Sequence, residues 1–104
     1  MPTGKNASND KKIRLRLFIG GHTASSLAAC AAVETCLGLP ELAEGTNLTI
    51  VDVGARPESA RRNGILATPT LFIEYPGGRF KLVGDLGRGE QLHDLLRIAT
   101  TSNR

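Results

Sequence analysis

The sequence predicts an α/β domain with a mixed four-stranded sheet, its elements in the order βαβαββα. Three observations carry that prediction. Two β-rich segments are each followed by a helical pattern, which implies parallel strands joined through right-handed crossovers. A Pro-Gly pair at Pro76-Gly77 separates two further β-rich runs, which implies an antiparallel hairpin. Leu92, Leu95, Leu96 and Ala99 then repeat at helical spacing, giving a closing helix one apolar stripe to lay on the sheet.

Each element has a local reason. In IRLRLFI, Ile13 to Ile19, apolar residues alternate with Arg14 and Arg16 and then run on continuously, the pattern of a strand half-exposed at its start and buried at its end. Gly20, Gly21 and His22 form a turn, and Thr23 caps an Ala-rich helix that runs to about Leu37 and is closed by Gly38 and Pro40. Asn47 to Val53, rich in β-branched residues, is the second strand. Pro57 sits where the first residue of a helix belongs, ahead of Glu58 to Asn63, with Gly64 as the stop. Thr70 to Tyr75 and Arg79 to Val83 are strands three and four, joined by a turn expected to be type II with its positive φ on the glycine after Pro76. Gly84-Asp85-Leu86-Gly87 is expected to end strand four and start the last helix, with Asp85 supplying a first-turn hydrogen bond.

Composition sets the limits on function. A chain of 104 residues with 40% hydrophobic and 22% charged residues fits one globular domain. Residues 1–11 and 101–104 are expected to be tails around a domain at 12–100, because the first eleven are too polar to offset their own ordering entropy. The net charge of +3 comes without a dense Lys/Arg run, and only 4% of residues are aromatic, which speaks against nucleic acid as a partner. No stretch is apolar enough to span a bilayer, and MPTGKNASNDKK has no signal-peptide core, so the expected location is cytoplasmic and the sequons at Asn6 and Asn47 are coincidental.

The element order is that of the thioredoxin fold, in which a proline, usually cis, precedes the third strand, and Pro69 in ATPT stands there. A thioredoxin-type enzyme places a nucleophilic cysteine at the N-terminus of its first helix, where the dipole lowers the thiol pKa. Here that place reads GGHTASS. Cys30 and Cys36 lie six residues apart in one helix, with Cα atoms about 10 Å apart, beyond disulfide reach; they read as small buried hydrophobes. His22 reads as an exposed loop residue with no nucleophile beside it, and His93 with Asp94 offers too few ligands for a metal site. Gly20-Gly21 lacks the lysine and third glycine of a phosphate loop. No catalytic, cofactor-binding or metal residue is expected.

The combination of motifs is more specific than the fold. LRLFIGG before a helix, IVDV with a proline shortly after it, ILATPTL and then GDL resemble the KaiB family of circadian clock proteins from Leu15 to about Ala99, with Ile65 to Leu71 as the most diagnostic block. The resemblance implies a non-enzymatic timing or stress-response module that binds a KaiC-type hexameric ATPase and regulates its phosphorylation and ATPase cycle. A histidine kinase or a KaiA-like protein would be a further partner. It also implies two folds of one sequence: the thioredoxin-like state, and a ground state, βαββααβ, that forms dimers or tetramers. Local propensity favours the first, since Thr70, Phe72, Ile73 and Tyr75 are strand formers while EQLHDLLRIA is a helical pattern.

In the thioredoxin-like arrangement strand two is an edge that can accept an added strand. The segment leading from it into the short helix matches the part of KaiB that faces the ATPase. Thr49, Asp52, Gly54, Arg56, Glu58, Arg61 and Arg62 are therefore the expected partner-binding residues, and Pro69 the structural cis-proline. The plainer reading is a solvated basic helix beside an ordinary edge. Two alternatives stand: a thioredoxin-fold thiol or glutathione-related protein, and a detached sensor domain of the SasA type.

Overall fold

The computed structural model describes residues 12–101. Its elements are β1 (Ile13–Ile19), α1 (Ala24–Leu37), α2 (Pro40–Ala43), β2 (Thr46–Asp52), α3 (Pro57–Arg62), β3 (Thr70–Tyr75), β4 (Gly78–Val83) and α4 (Glu90–Thr101). The sheet order is β2-β1-β3-β4. β1 runs parallel to β2 and antiparallel to β3, and β3 pairs antiparallel with β4. This is the expected thioredoxin-like arrangement; residues 70–83 form the hairpin, not the helices of the alternative fold, and 90–101 form a helix, not a strand.

The alternation in β1 sorts the sheet into two faces. Ile13, Leu15 and Leu17 point to one side and pack with Leu71 and Ile73 of β3 under Ala29, Val33 and Cys36 of α1 and Leu92, Leu96 and Ala99 of α4. Leu15, Leu17, Leu71, Ile73, Val33, Leu92, Leu96 and Ala99 are all 0% exposed, so this is the main core. Small residues on α1 let it approach closely. Gly89, just before α4, is buried with φ +91°, and a Cβ there would meet Cys36 Sγ at 3.2 Å and the Ala32 carbonyl at 3.3 Å.

Three local readings need correction. Pro40 does not simply close α1 but opens a further single turn, α2, because a proline at the first helical position has no donor to lose; the buried Leu42 anchors that turn. The hairpin turn is not type II: Gly77 stays out of the positive-φ region, which falls instead on Gly78 (φ 157°). Gly78 pairs with Tyr75, and a Cβ there would lie 3.4 Å from the Tyr75 hydroxyl, so the special glycine is the one that opens β4. Asp85 does not cap α4 either. Its Oδ1 accepts from the Gly87 N–H at 2.8 Å in a local turn, and α4 begins at Glu90.

The Thr68–Pro69 peptide bond is cis, as the thioredoxin-like order implies. The tail expected at residues 1–11 lies outside the described residues. Of the stretch 101–104 only Thr101 is described, and it is the last residue of α4.

Candidate functional site

β2 forms one edge of the sheet and hands the chain to α3 through a tight turn. Asp52 organises that turn. Its Oδ1 accepts from the Gly54 N–H at 2.9 Å and from the Gly21 N–H at 3.3 Å, which ties the turn after β2 to the turn after β1. Its carbonyl accepts from the N–H groups of Ala55 and Arg56 at 3.1 and 2.9 Å. Asp52 therefore has an internal holding role, alongside any part it takes in binding.

Pro57 starts α3 with its fixed φ, Glu58 lies in the first turn, and Arg61 and Arg62 lie in the last, the charge order that the helix dipole favours. α3 buries none of its residues. Thr49, Asp52 and Arg56 line one open groove of about 280 Å³ between the β2 edge and the start of α3, together with Ile50 and Ser59. Gly54 sits in the turn beside the groove. Glu58, Arg61 and Arg62 do not line it but stand exposed along α3. Of the seven residues expected from the sequence, three are thus gathered into one concavity and the others flank it.

Two features escaped the sequence reading. Leu66 is 98% exposed, although its setting in ILATPTL reads as the approach to a buried strand. On the sheet face away from α1 and α4, Arg16 donates to Asn63 Oδ1 at 2.8 Å and to Glu74 Oε2 at 3.1 Å, and lies close to the Phe72 ring. The alternation of Arg14 with Arg16 and of Arg79 with Lys81 is the signal that marks this face; Arg79 and Lys81 reach Phe72 through the tight β3–β4 hairpin, whereas Arg16 meets it only through the register of distant segments.

The N-terminus of α1 is engaged internally. Thr23 Oγ1 accepts from the Ser26 N–H at 3.2 Å, and the Ser26 hydroxyl, 0% exposed, accepts from the Gly20 N–H at 2.9 Å. Both cysteines are free thiols. Burial pushes the Cys30 thiol above its usual pKa, with the Glu34 carboxylate adding to the shift, and burial alone does the same for Cys36. Cys36 Sγ donates to the Gly89 carbonyl at 3.5 Å. Two protonated thiols away from the helix N-terminus are poor nucleophiles.

The KaiB domain profile matches residues 16–98. The chain belongs to the KaiB family. Circadian clock protein KaiB3 of Synechocystis sp. is 31% identical over 81 residues, 78% of this chain and 78% of that one. Circadian clock oscillator protein KaiB of Gloeothece citriformis is 35% identical over 78 residues, covering 75% of this chain and 73% of its own. The solution structure of the N-terminal domain of Synechococcus elongatus SasA superposes with a TM-score of 0.70 at 25% identity, over 88% of this chain and 86% of that one. Chloroplastic thioredoxin z superposes with a TM-score of 0.77 at 14% identity, over 94% and 87% of the two chains, a likeness of fold alone. The KaiB family and the SasA neighbour connect the chain to the circadian clock, and its relatives are named as clock proteins rather than enzymes. No helix among the described residues is long and apolar enough to cross a membrane.

Proposed function

We propose that this chain is a non-enzymatic timing module of the cytoplasm that docks on a KaiC-type hexameric ATPase through the β2 edge and α3 and regulates its phosphorylation and ATPase cycle. The observation that carries the reading is the contrast between the two sheet edges. β4 carries Arg79 and Lys81, the charges by which sheet proteins discourage added strands. β2, TNLTIVD, has no lysine, arginine or proline, exposes Ile50 to 42%, and opens into the groove of Thr49, Asp52 and Arg56. An edge of that kind suits strand addition by a partner, with the arginines of α3 flanking it. A KaiA-like protein or a histidine kinase would compete for the same edge.

Conversion to the family's alternative fold, with dimers or tetramers, belongs to the same proposal. The described state is the one in which 90–101 is helical, and an equilibrium with a second packing needs a gap of only a few kcal/mol. The likeness to the SasA N-terminal domain supports a second reading, a sensor domain acting with a separately encoded histidine kinase.

Co-elution with a KaiC-type ATPase in its ATP, ADP and hydrolysis-arrested states tests the proposal. Binding that depends on hydrolysis state and is abolished by Thr49→Pro is the expected result. An intact chain that binds no such ATPase, but does bind a kinase core, selects the second reading.

A further inference from the structure

The even-numbered residues of β1 point away from the main core, and the helix adjoining that face is α3, whose C-cap Asn63 accepts from Arg16. Phe72 lies at the centre of the face. It is 1% exposed and meets Phe18 edge-to-face, with ring centroids 5.8 Å apart at 84°. Three cations surround its ring: the Arg79 guanidinium at 4.2 Å from the centroid, the Arg16 guanidinium at 5.1 Å and Lys81 Nζ at 5.8 Å. The register places Arg16 on one side of Phe72 and Lys81 on the other, and in the next row Glu74 lies between Arg14 and Arg79.

Charge on this face is unbalanced. Glu74 is the one carboxylate that pairs with these cations among the described residues, at 3.1 Å from Arg16 and 4.0 Å from Arg79. Arg14 and Lys81 form no ion pair among the described residues. Crowded like charges repel one another, and an incoming anion relieves that repulsion. The ring restrains the cations beside it, so little side-chain freedom is left to lose on binding.

We propose that this open face binds an acidic segment of a protein partner, with Asp or Glu carboxylates received by Arg79 and Lys81 across Phe72 and with Arg14 at the margin. The inference rests on the reading of the chain as a docking module and names the chemistry of the partner surface beside α3. Nucleic acid fits the face poorly, because Phe72 is buried and offers no ring on which a base can stack. The chain's own first eleven residues carry Lys5 and Lys11 against Asp10, so they are not an acidic occupant.

The test is an NMR titration of the full chain with an octaglutamate peptide. The largest shifts are expected at Arg14, Arg16, Phe72, Arg79 and Lys81, with affinity falling about fivefold between about 50 and about 200 mM salt. The double variant Arg79→Gln/Lys81→Gln is expected to weaken binding about tenfold. Arg79→Lys, which keeps the charge but loses the planar fork, is expected to weaken it about twofold to threefold. Arg88→Gln/Arg97→Gln removes the same charge beside and on α4, over the opposite face, and is expected to leave binding unchanged. Equal weakening by the two double variants, absence of shifts on the open face, or tighter binding of an oligothymidylate of equal charge overturns the proposal. Octaglutamate binding without ATPase co-elution removes the ATPase reading and keeps the site. ATPase co-elution without octaglutamate binding does the reverse.

Discussion

The two faces of the sheet are built on opposite principles. On one, Leu15, Leu17, Leu71 and Ile73 are sealed under α1 and α4, and nothing charged intervenes. On the other, two buried phenylalanines sit beneath Arg16, Arg79 and Lys81, with only the short α3 at hand. A closed apolar face supplies stability through area removed from water. An open cationic face supplies less stability and leaves charge available to a partner.

The largest effect should come from the closed face. Leu96→Ala removes a side chain that is 0% exposed between α4 and the sheet, and is expected to cost about 3 kcal/mol in denaturant unfolding. On the open face, Phe72→Leu keeps an apolar residue but loses the ring contacts, and about 1.5 kcal/mol is expected. Were the two losses equal, the open face would be a second core and the contrast would fail. Arg16→Gln deletes the bonds to Asn63 and Glu74, and an unfolding titration should show a cost of about 1 kcal/mol. A smaller loss there would mean that α3 is held without Arg16.

The smallest effect is a pH dependence seated in the closed face. Burial raises the Cys36 pKa in the folded chain, so the folded state keeps its proton after the unfolded state has released it. Stability is therefore undiminished below the ordinary thiol value of about 8.5 and falls as pH rises from there through the raised folded value. Cys36→Ala should flatten that alkaline decline in thermal melts at pH 7 to 10, measured against its own stability at about pH 7. Unchanged slopes would show that the thiol does not contribute.

Much of the architecture was legible because it is written in local pattern. IRLRLFI separates the two faces by alternation, the stripe of Leu92, Leu96 and Ala99 identifies the helix that closes one of them, and Pro69 stands where the fold order expects it. The short α2 was missed because a proline that ends one helix also begins another. The hairpin turn was misread because Pro76 is compatible with more than one turn type, and the choice lay with Gly78 beside Tyr75. The groove of Thr49, Asp52 and Arg56 was legible as a neighbourhood through the family resemblance, whereas the holding role of Asp52 was not, since Gly21 lies far from it in the chain.

By itself the sequence determined every element except the single turn α2, the alternation of β1, the apolar stripe of α4 and membership of the KaiB family, since periodicity and motif are properties of short stretches. Only the tertiary structure decided that Arg16, Phe72, Arg79 and Lys81 form one cluster and that Leu66 stands in solvent. The meeting of Arg16 with Phe72 comes from the register of β1 on β3 between segments far apart in the chain, and a shift of β1 by one residue would turn Arg16 to the other face.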